Sequence, residues 1–412
     1  MARAPMRYRE SLMANTAAFG KSTSVELERL ETEGLLRRLP VSTPKPGTQV
    51  LLGGRELICL SSNNYLGFAA HPELIEASNR ATHLFGCGAT GSRLLSGNLD
   101  LHVELEKKIS QFKGTESALL FNSGYSANIG ILIALAGEND LLVCDKLNHA
   151  SLIDGAKASG AEVRYYRHFD LKRAEQLLSQ APHAQRKFLV TDSVFSMDGD
   201  IAPLPDLISL AKKHNAFLIV DEAHSTGVLG RTGRGIFEHF KLHPQASDLG
   251  IPGLIQMGTF GKALGGFGAF VACDALTKEL LINLARPFIF STALPPAVLG
   301  AAFRAFELLE QEPEWIARLL FNSNYLREGL RRQGWQVPMG ETPIIPVIIG
   351  DPKEAVRVSE ELRNHGVLAL AVRPPAVPLG TARIRVSVMA THTEEQINTA
   401  LKIFEKVRAT CK

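Results

Sequence analysis

Between residues 115 and 275, short apolar runs alternate with longer amphipathic stretches. The runs are Ala118–Phe121, Leu141–Cys144, Val163–Tyr166, Phe188–Thr191, Phe217–Val220, Ile255–Met257 and Phe270–Ala272. Most are apolar at successive positions rather than at every second one, which predicts strands covered on both faces. Strands of that kind, separated by helical segments, predict a largely parallel sheet between two helical layers.

Ahead of the first run, Leu101, Leu105, Ile109 and Phe112 recur at helical spacing. Asn98 is expected as the N-cap of this helix and Gly114 as its terminator. Pro72 to Phe85 repeats with the same period, and one long helix is expected from Pro295 to about Arg332. Beyond it come a strand near Ile344 to Ile349, a helix near Ala355 to Asn364 and an alternating strand near Ala382 to Met389. The expected organisation is an amphipathic N-terminal arm over 1–60, a large α/β domain over 61–295 and a smaller α+β domain over 296–412. No internal repeat or low-complexity tract interrupts this order.

Composition narrows the function classes. With 412 residues, 45% hydrophobic and 21% charged, the chain has the make-up of a globular enzyme. A formal charge of +3 without a Lys/Arg-rich run gives no reason to expect a nucleic-acid partner. The five cysteines, Cys59, Cys87, Cys144, Cys273 and Cys411, form no Cys-x-x-Cys pair. They read as reduced thiols of a cytoplasmic protein, with neither a disulfide framework nor a metal site. The longest apolar stretch, Ile129 to Ala136, falls short of the roughly 20 residues of a membrane span, so no membrane partner is expected.

The chemistry concentrates in two motifs. Phe217-Leu218-Ile219-Val220 leads into Asp221-Glu222-Ala223-His224, and Gly258-Thr259-Phe260-Gly261-Lys262 follows downstream. A lysine among small residues can form a Schiff base with a cofactor aldehyde. A carboxylate at a strand end can hold a pyridine nitrogen protonated, and a histidine three residues on can serve the ring's other edge. Together they describe a site for pyridoxal 5'-phosphate, PLP.

Further candidates fall after the predicted strands. Gly124 and Tyr125 open a helix, where backbone N–H groups can receive the cofactor phosphate. His149 can stack on the ring, although a helix-capping histidine would look the same. Ser196 can donate to the cofactor phenolate or substrate, and Thr259 can reach the phosphate. Arg383, Arg385 and Ser387 share one strand face. Arg385 is expected to fork onto an amino-acid carboxylate, Arg383 is expected to face solvent, and Arg373 is a further candidate. Gly86-Cys87-Gly88-Ala89-Thr90-Gly91 matches the dinucleotide fingerprint but follows a helical pattern, so it lacks the required strand.

These residues, with Ser61-Ser62-Asn63-Asn64-Tyr65-Leu66-Gly67, Ala285-Arg286-Pro287-Phe288 and Val372-Arg373-Pro374-Pro375-Ala376, resemble the α-oxoamine synthases over more than nine-tenths of the chain. The resemblance implies fold type I, with a mostly parallel seven-stranded sheet in the large domain. It implies that Lys262 carries PLP, His149 stacks on it, and Asp221 pairs with the ring nitrogen. Gly124, Tyr125, Ser196, His224 and Thr259 would hold the rest. Thr292, or Ser291, would reach the phosphate from the second subunit of a homodimer with shared active sites.

Arg37 would contact the acyl substrate, while Asn63 and Arg385 would lie near the amino-acid carboxylate. Ala376 stands where the family's usual residue is threonine, and an extra segment precedes the family's usual start. The implied reaction is decarboxylative condensation of L-alanine with a pimeloyl thioester, on CoA or an acyl-carrier protein. The rivals are glycine with acetyl-CoA and serine with a long acyl thioester. A catalytically idle subunit is a rival of another kind, and it would lack the lysine or the aspartate.

Overall fold

The computed structural model describes residues 20–32, 36, 39, 41–44 and 47–410. The described residues fall into two units: those up to 43 together with 51–55, and 44 and 47–50 together with 56–410. In the first, a helix spans 20–32, and Arg29 pairs with Glu26 at 2.6 Å along it.

The second unit is built on a seven-stranded sheet. In chain order its strands are β1 (Ser117–Phe121), β2 (Leu141–Asp145), β3 (Glu162–Tyr166), β4 (Lys187–Asp192), β5 (Ala216–Asp221), β6 (Leu254–Thr259) and β7 (Ala269–Cys273). Their spatial order is β1-β7-β6-β5-β4-β2-β3. β7 runs antiparallel to both its neighbours, and the other pairings are parallel.

The apolar runs are continuous because successive residues enter different cores. Leu120, Val143, Leu189, Leu218, Val220 and Phe270 join the helices Pro72–Phe85, Asp100–Lys113 and Pro296–Gln311 on one face. Phe121, Leu142, Val190, Ile219, Ile255 and Val271 pack with Gly124–Leu135 and Ala150–Ala158 on the other. In such a sheet, side chains following the strands' carboxyl ends gather along one rim, where α/β proteins place their ligand sites.

The C-terminal part carries a three-stranded antiparallel sheet, Ile344–Gly350, Ala382–Ser387 and Leu370–Val372 in spatial order. Its core also takes Ile58 and Leu60, so residues just before the large sheet pack with those near the chain's end. Two expectations are corrected here. The long helix divides into Pro296–Gln311 and Glu314–Arg332, because Pro313 at the junction cannot donate a backbone hydrogen bond. The helix Asp100–Lys113 has Leu99 as its N-cap, and the His102 ring accepts from the Leu99 N–H at 3.1 Å. The Asn98 side chain accepts from Arg93 Nε instead, at 2.6 Å. Gly114 terminates the helix with φ 70°, a left-handed conformation that glycine adopts without strain.

Candidate active site

Asp192 and Asp221 end adjacent parallel strands in the same register. Asp221 is buried and accepts hydrogen bonds from Asn128 Nδ2 at 2.7 Å and the Ala223 N–H at 2.8 Å. Asn128 is held in turn by Ser151 Oγ at 2.8 Å. Among the described residues, no cation lies within ion-pair distance of Asp221. The adjacent Glu222 is committed elsewhere: it pairs with Lys113 at 2.9 Å, both side chains fully enclosed, and accepts from Ser225 Oγ and the Ile236 N–H.

Lys262 follows β6, on a turn that passes close to the His224 loop. Gly227 has φ 77°, and a Cβ there would come within 2.7 Å of the Ala263 Cβ. The two motifs can therefore approach only with glycine at this position. Burial brings the Lys262 ammonium down to about 8, partly opposed by Asp221 and Asp192 and assisted by Arg385. Such a lysine is a usable nucleophile and base near neutral pH.

His149 caps the helix Ala150–Ala158, as the plainer reading allowed, and the residue stays part-exposed. Its N–H donates to Asp192 Oδ2 at 2.8 Å, and its Nδ1 lies 2.7 Å from Ser151 Oγ. Burial is the chief effect lowering its basicity. His224 is buried, with Nδ1 2.7 Å from Tyr65 Oη. Burial, reinforced by Lys262 and Arg385, holds it well below the ordinary range and so neutral.

Arg385 donates to the Ser196 carbonyl at 2.5 Å, Ser387 Oγ at 2.7 Å, Asn63 Oδ1 at 3.2 Å and Tyr65 Oη at 3.4 Å. All four acceptors are neutral, and among the described residues no carboxylate pairs with this half-buried guanidinium. Arg383 is a correction: it is 3% exposed and pairs with Asp198, donating also to the Met197 carbonyl at 3.2 Å. The expectation of a solvated arginine fails because the Met197–Asp198 turn covers that part of the face.

At the helix opening, Ser123 Oγ accepts from the Ser126 N–H at 3.1 Å, and the exposed Tyr125 donates to Asp154 at 2.6 Å. A Cβ on Gly124 would make only ordinary contacts, the nearest to Met257 Cε at 3.5 Å, so nothing within the chain requires glycine there. The Thr259 hydroxyl donates to the Gly268 carbonyl at 2.8 Å and accepts from the Gly261 N–H. The Thr292 carbonyl accepts from Asn122 Nδ2 at 2.9 Å, bringing its loop beside the same helix opening. Arg373 is half-buried, and the exposed Ala376 donates its N–H to the Arg373 carbonyl at 3.0 Å. Arg37 lies outside the described residues.

Asp192, Asn128, Ser151 and Tyr65 were not anticipated in these roles. The one sequence signal was an aspartate ending an apolar run one strand away from Asp221.

These residues suit PLP. A buried carboxylate without a cation and a half-buried amine without a hydrogen-bond partner among the described residues, with a part-exposed imidazole, match the ring nitrogen, the aldehyde and the ring face. Tied neutral, His224 can serve an oxygen at the ring's edge.

The chain matches the aminotransferase class I and II family over residues 55–404. It is 46% identical over 390 residues to the 8-amino-7-oxononanoate synthase of Geobacter sulfurreducens, covering 94% of this chain and 98% of the relative. A serine palmitoyltransferase from S. paucimobilis, solved with bound PLP, superposes with a TM-score of 0.86 at 32% identity, covering 99% of each chain. The 8-amino-7-oxononanoate synthase of Francisella tularensis gives 0.73 at 31%, covering 86% of this chain and 98% of that one. The chain belongs to the aminotransferase class I and II family, and within it to the PLP-dependent α-oxoamine synthases of fold type I.

Proposed function

We propose that the chain condenses L-alanine with a pimeloyl thioester, on CoA or an acyl-carrier protein, releasing CO2 and the free thiol. The product is 8-amino-7-oxononanoate, a precursor of biotin. The observation that carries this reading is the conjunction, on one rim, of Lys262, Asp221 and an Arg385 without a carboxylate partner among the described residues. Sequence relatives at 46% and 47% identity that act under that name support the choice of substrates.

When bound, PLP supplies an aldehyde to capture an amine and a protonated ring that draws electrons from the substrate Cα. In this reading Lys262 would hold the cofactor, and its amine would be the base for the Cα proton of alanine. Asp221 keeps the ring nitrogen protonated, while Asn128 and the Ala223 N–H hold that carboxylate in position. His224 and Ser196 would donate at the ring oxygen, and His149 would cover the ring face. The N–H groups at Gly124 and Tyr125 bind the phosphate with Thr259, whose hydroxyl must turn from the Gly268 carbonyl. Thr292 reaches the phosphate of the other subunit in a homodimer.

Arg385 and Asn63 bind the alanine carboxylate, which later leaves as CO2. Alanine Cα, its proton held on Lys262, would form the new bond to the thioester carbonyl carbon as the carbon–sulfur bond breaks and the thiolate leaves; when the carboxylate departs as CO2, Lys262 would return the proton to Cα. His149 is placed to donate to the carbonyl oxygen during the condensation. Arg373 and Ala376 would line the acyl path.

Initial rates with alanine, glycine and serine, each against pimeloyl, acetyl and palmitoyl thioesters, test the assignment. Highest kcat/KM for alanine with the pimeloyl thioester is expected. A preference for serine with the long chain would favour the activity named for the S. paucimobilis neighbour.

A further inference from the structure

His168 lies off the rim, between two loops that carry site residues. Its Nδ1 is 3.1 Å from Asp145 Oδ2, and its Nε2 is 2.7 Å from Asp200 Oδ2. A ring bonded to a carboxylate at each nitrogen must donate from both, and so carries a positive charge. Burial opposes that charge, but the hydrogen bonds to Asp145 and Asp200 prevail and hold the imidazolium up at about 9. Phe169 stacks on the ring at 3.7 Å between centroids, and Phe195 meets it edge-on at 4.3 Å, which fixes its plane.

Each carboxylate organises one loop. Asp145 ends β2, and its Oδ1 accepts from the Leu147 N–H at 2.8 Å, while its carbonyl accepts from the Asn148 N–H at 3.1 Å. That turn delivers His149. Asp200 closes the loop after β4, and its carbonyl accepts from the Phe195 N–H at 3.1 Å. Its second carboxylate oxygen, Oδ1, is buried without a partner among the described residues, so His168 is what anchors this side chain. The loop contains Ser196, whose carbonyl holds Arg385, and Asp198, which holds Arg383.

We propose that His168 is a positioning residue: clamped between Asp145 and Asp200, it sets the loop of His149 against the loop of Ser196, and so fixes the PLP ring face, ring edge and Arg385 together. The inference rests on the PLP reading above. At the base of the two loops Asp192 already accepts from the His149 N–H and donates its own N–H to Asn148 Oδ1; the His168 ring adds the tie farther out, at Asp200, and no substrate or cofactor atom need touch it.

The test uses full-length His168→Gln and Asp200→Asn, each reconstituted with PLP and compared with the wild type. Four quantities are read: PLP dissociation constant, absorption maximum of the bound cofactor, KM and kcat for L-alanine, and Tm. Expected are at least tenfold weaker PLP retention, a displaced absorption maximum and a raised alanine KM in both variants. The double variant should be little worse than either single one, since both break one clamp. Asp200→Asn removes the carboxylate charge that holds the imidazolium while leaving the ring and its aromatic neighbours in place, so it remains informative if His168→Gln does not fold. Wild-type-like PLP affinity and spectrum in both variants, with only a lower Tm, would overturn the proposal and leave the PLP reading intact. Failure of the wild type to take up PLP would overturn the PLP reading itself, and this inference with it.

Discussion

Asp192 and Asp221 are register partners on neighbouring parallel strands, and they do different work. Burial, and after it the charge of Asp221, drives the Asp192 carboxyl well above the usual carboxylate range. It also accepts from the His149 N–H. Asp192→Asn keeps the acceptor for the His149 N–H, so PLP retention should stay within about threefold of wild type. Asp221→Asn removes the charge that faces the ring nitrogen. The loss of a buried ionic partner is worth about 3–5 kcal/mol, so turnover should fall on the order of 10²–10³-fold or more. Parallel PLP titrations and steady-state kinetics separate the two residues.

Lys262 should govern covalent capture of PLP. With its ammonium at about 8, the amine fraction of the cofactor-free enzyme grows about fivefold between pH 7 and pH 8 and levels off above pH 9. The capture rate, followed by stopped-flow absorbance, should rise across that window. Lys262→Ala should show no borohydride-fixable cofactor and no turnover.

The two arginines of one strand face should fail in different ways. Arg385→Gln removes a cation held by neutral groups, so KM for alanine should rise on the order of 10²-fold with little change in Tm. Arg383→Gln strands Asp198 and a buried carbonyl, so Tm should drop by several degrees. Denaturation curves and alanine saturation curves of the same preparations check both.

The His168 clamp sets a pH dependence of stability. Its folded-state value is raised from 6.5 to about 9. Its contribution is therefore fully present below pH 6.5, fades as pH rises, and is lost above about 9. Wild-type Tm should decline over that interval more steeply than that of His168→Gln, so that the two curves converge. Parallel curves across the window would refute the assignment of charge to this ring.

The sheet was legible in the sequence because strands buried on two faces are apolar at every position. Lys262 and Asp221 were legible because their motifs sit at strand ends. Other parts depend on partners far away in the chain. Alternation put Arg383 and Arg385 on one face, but which of them is neutralised depends on Asp198, a residue from the large domain's loop. Asp192 looked like an ordinary strand end until register set it beside Asp221. The strand Leu370–Val372 is too short for periodicity to reveal, and the break at Pro313 was hidden by apolar repeats that continue across it.

The Asp221-Glu222 pair divides its labour between ligand and scaffold. Because Lys113 already neutralises Glu222 from the far end of another helix, the pocket meets one acidic charge from this dipeptide and not two. A substitution at Lys113 would therefore reach the active site without touching it. It would release a second negative charge behind the ring nitrogen, so a lesion that looks purely architectural would surface as altered cofactor chemistry.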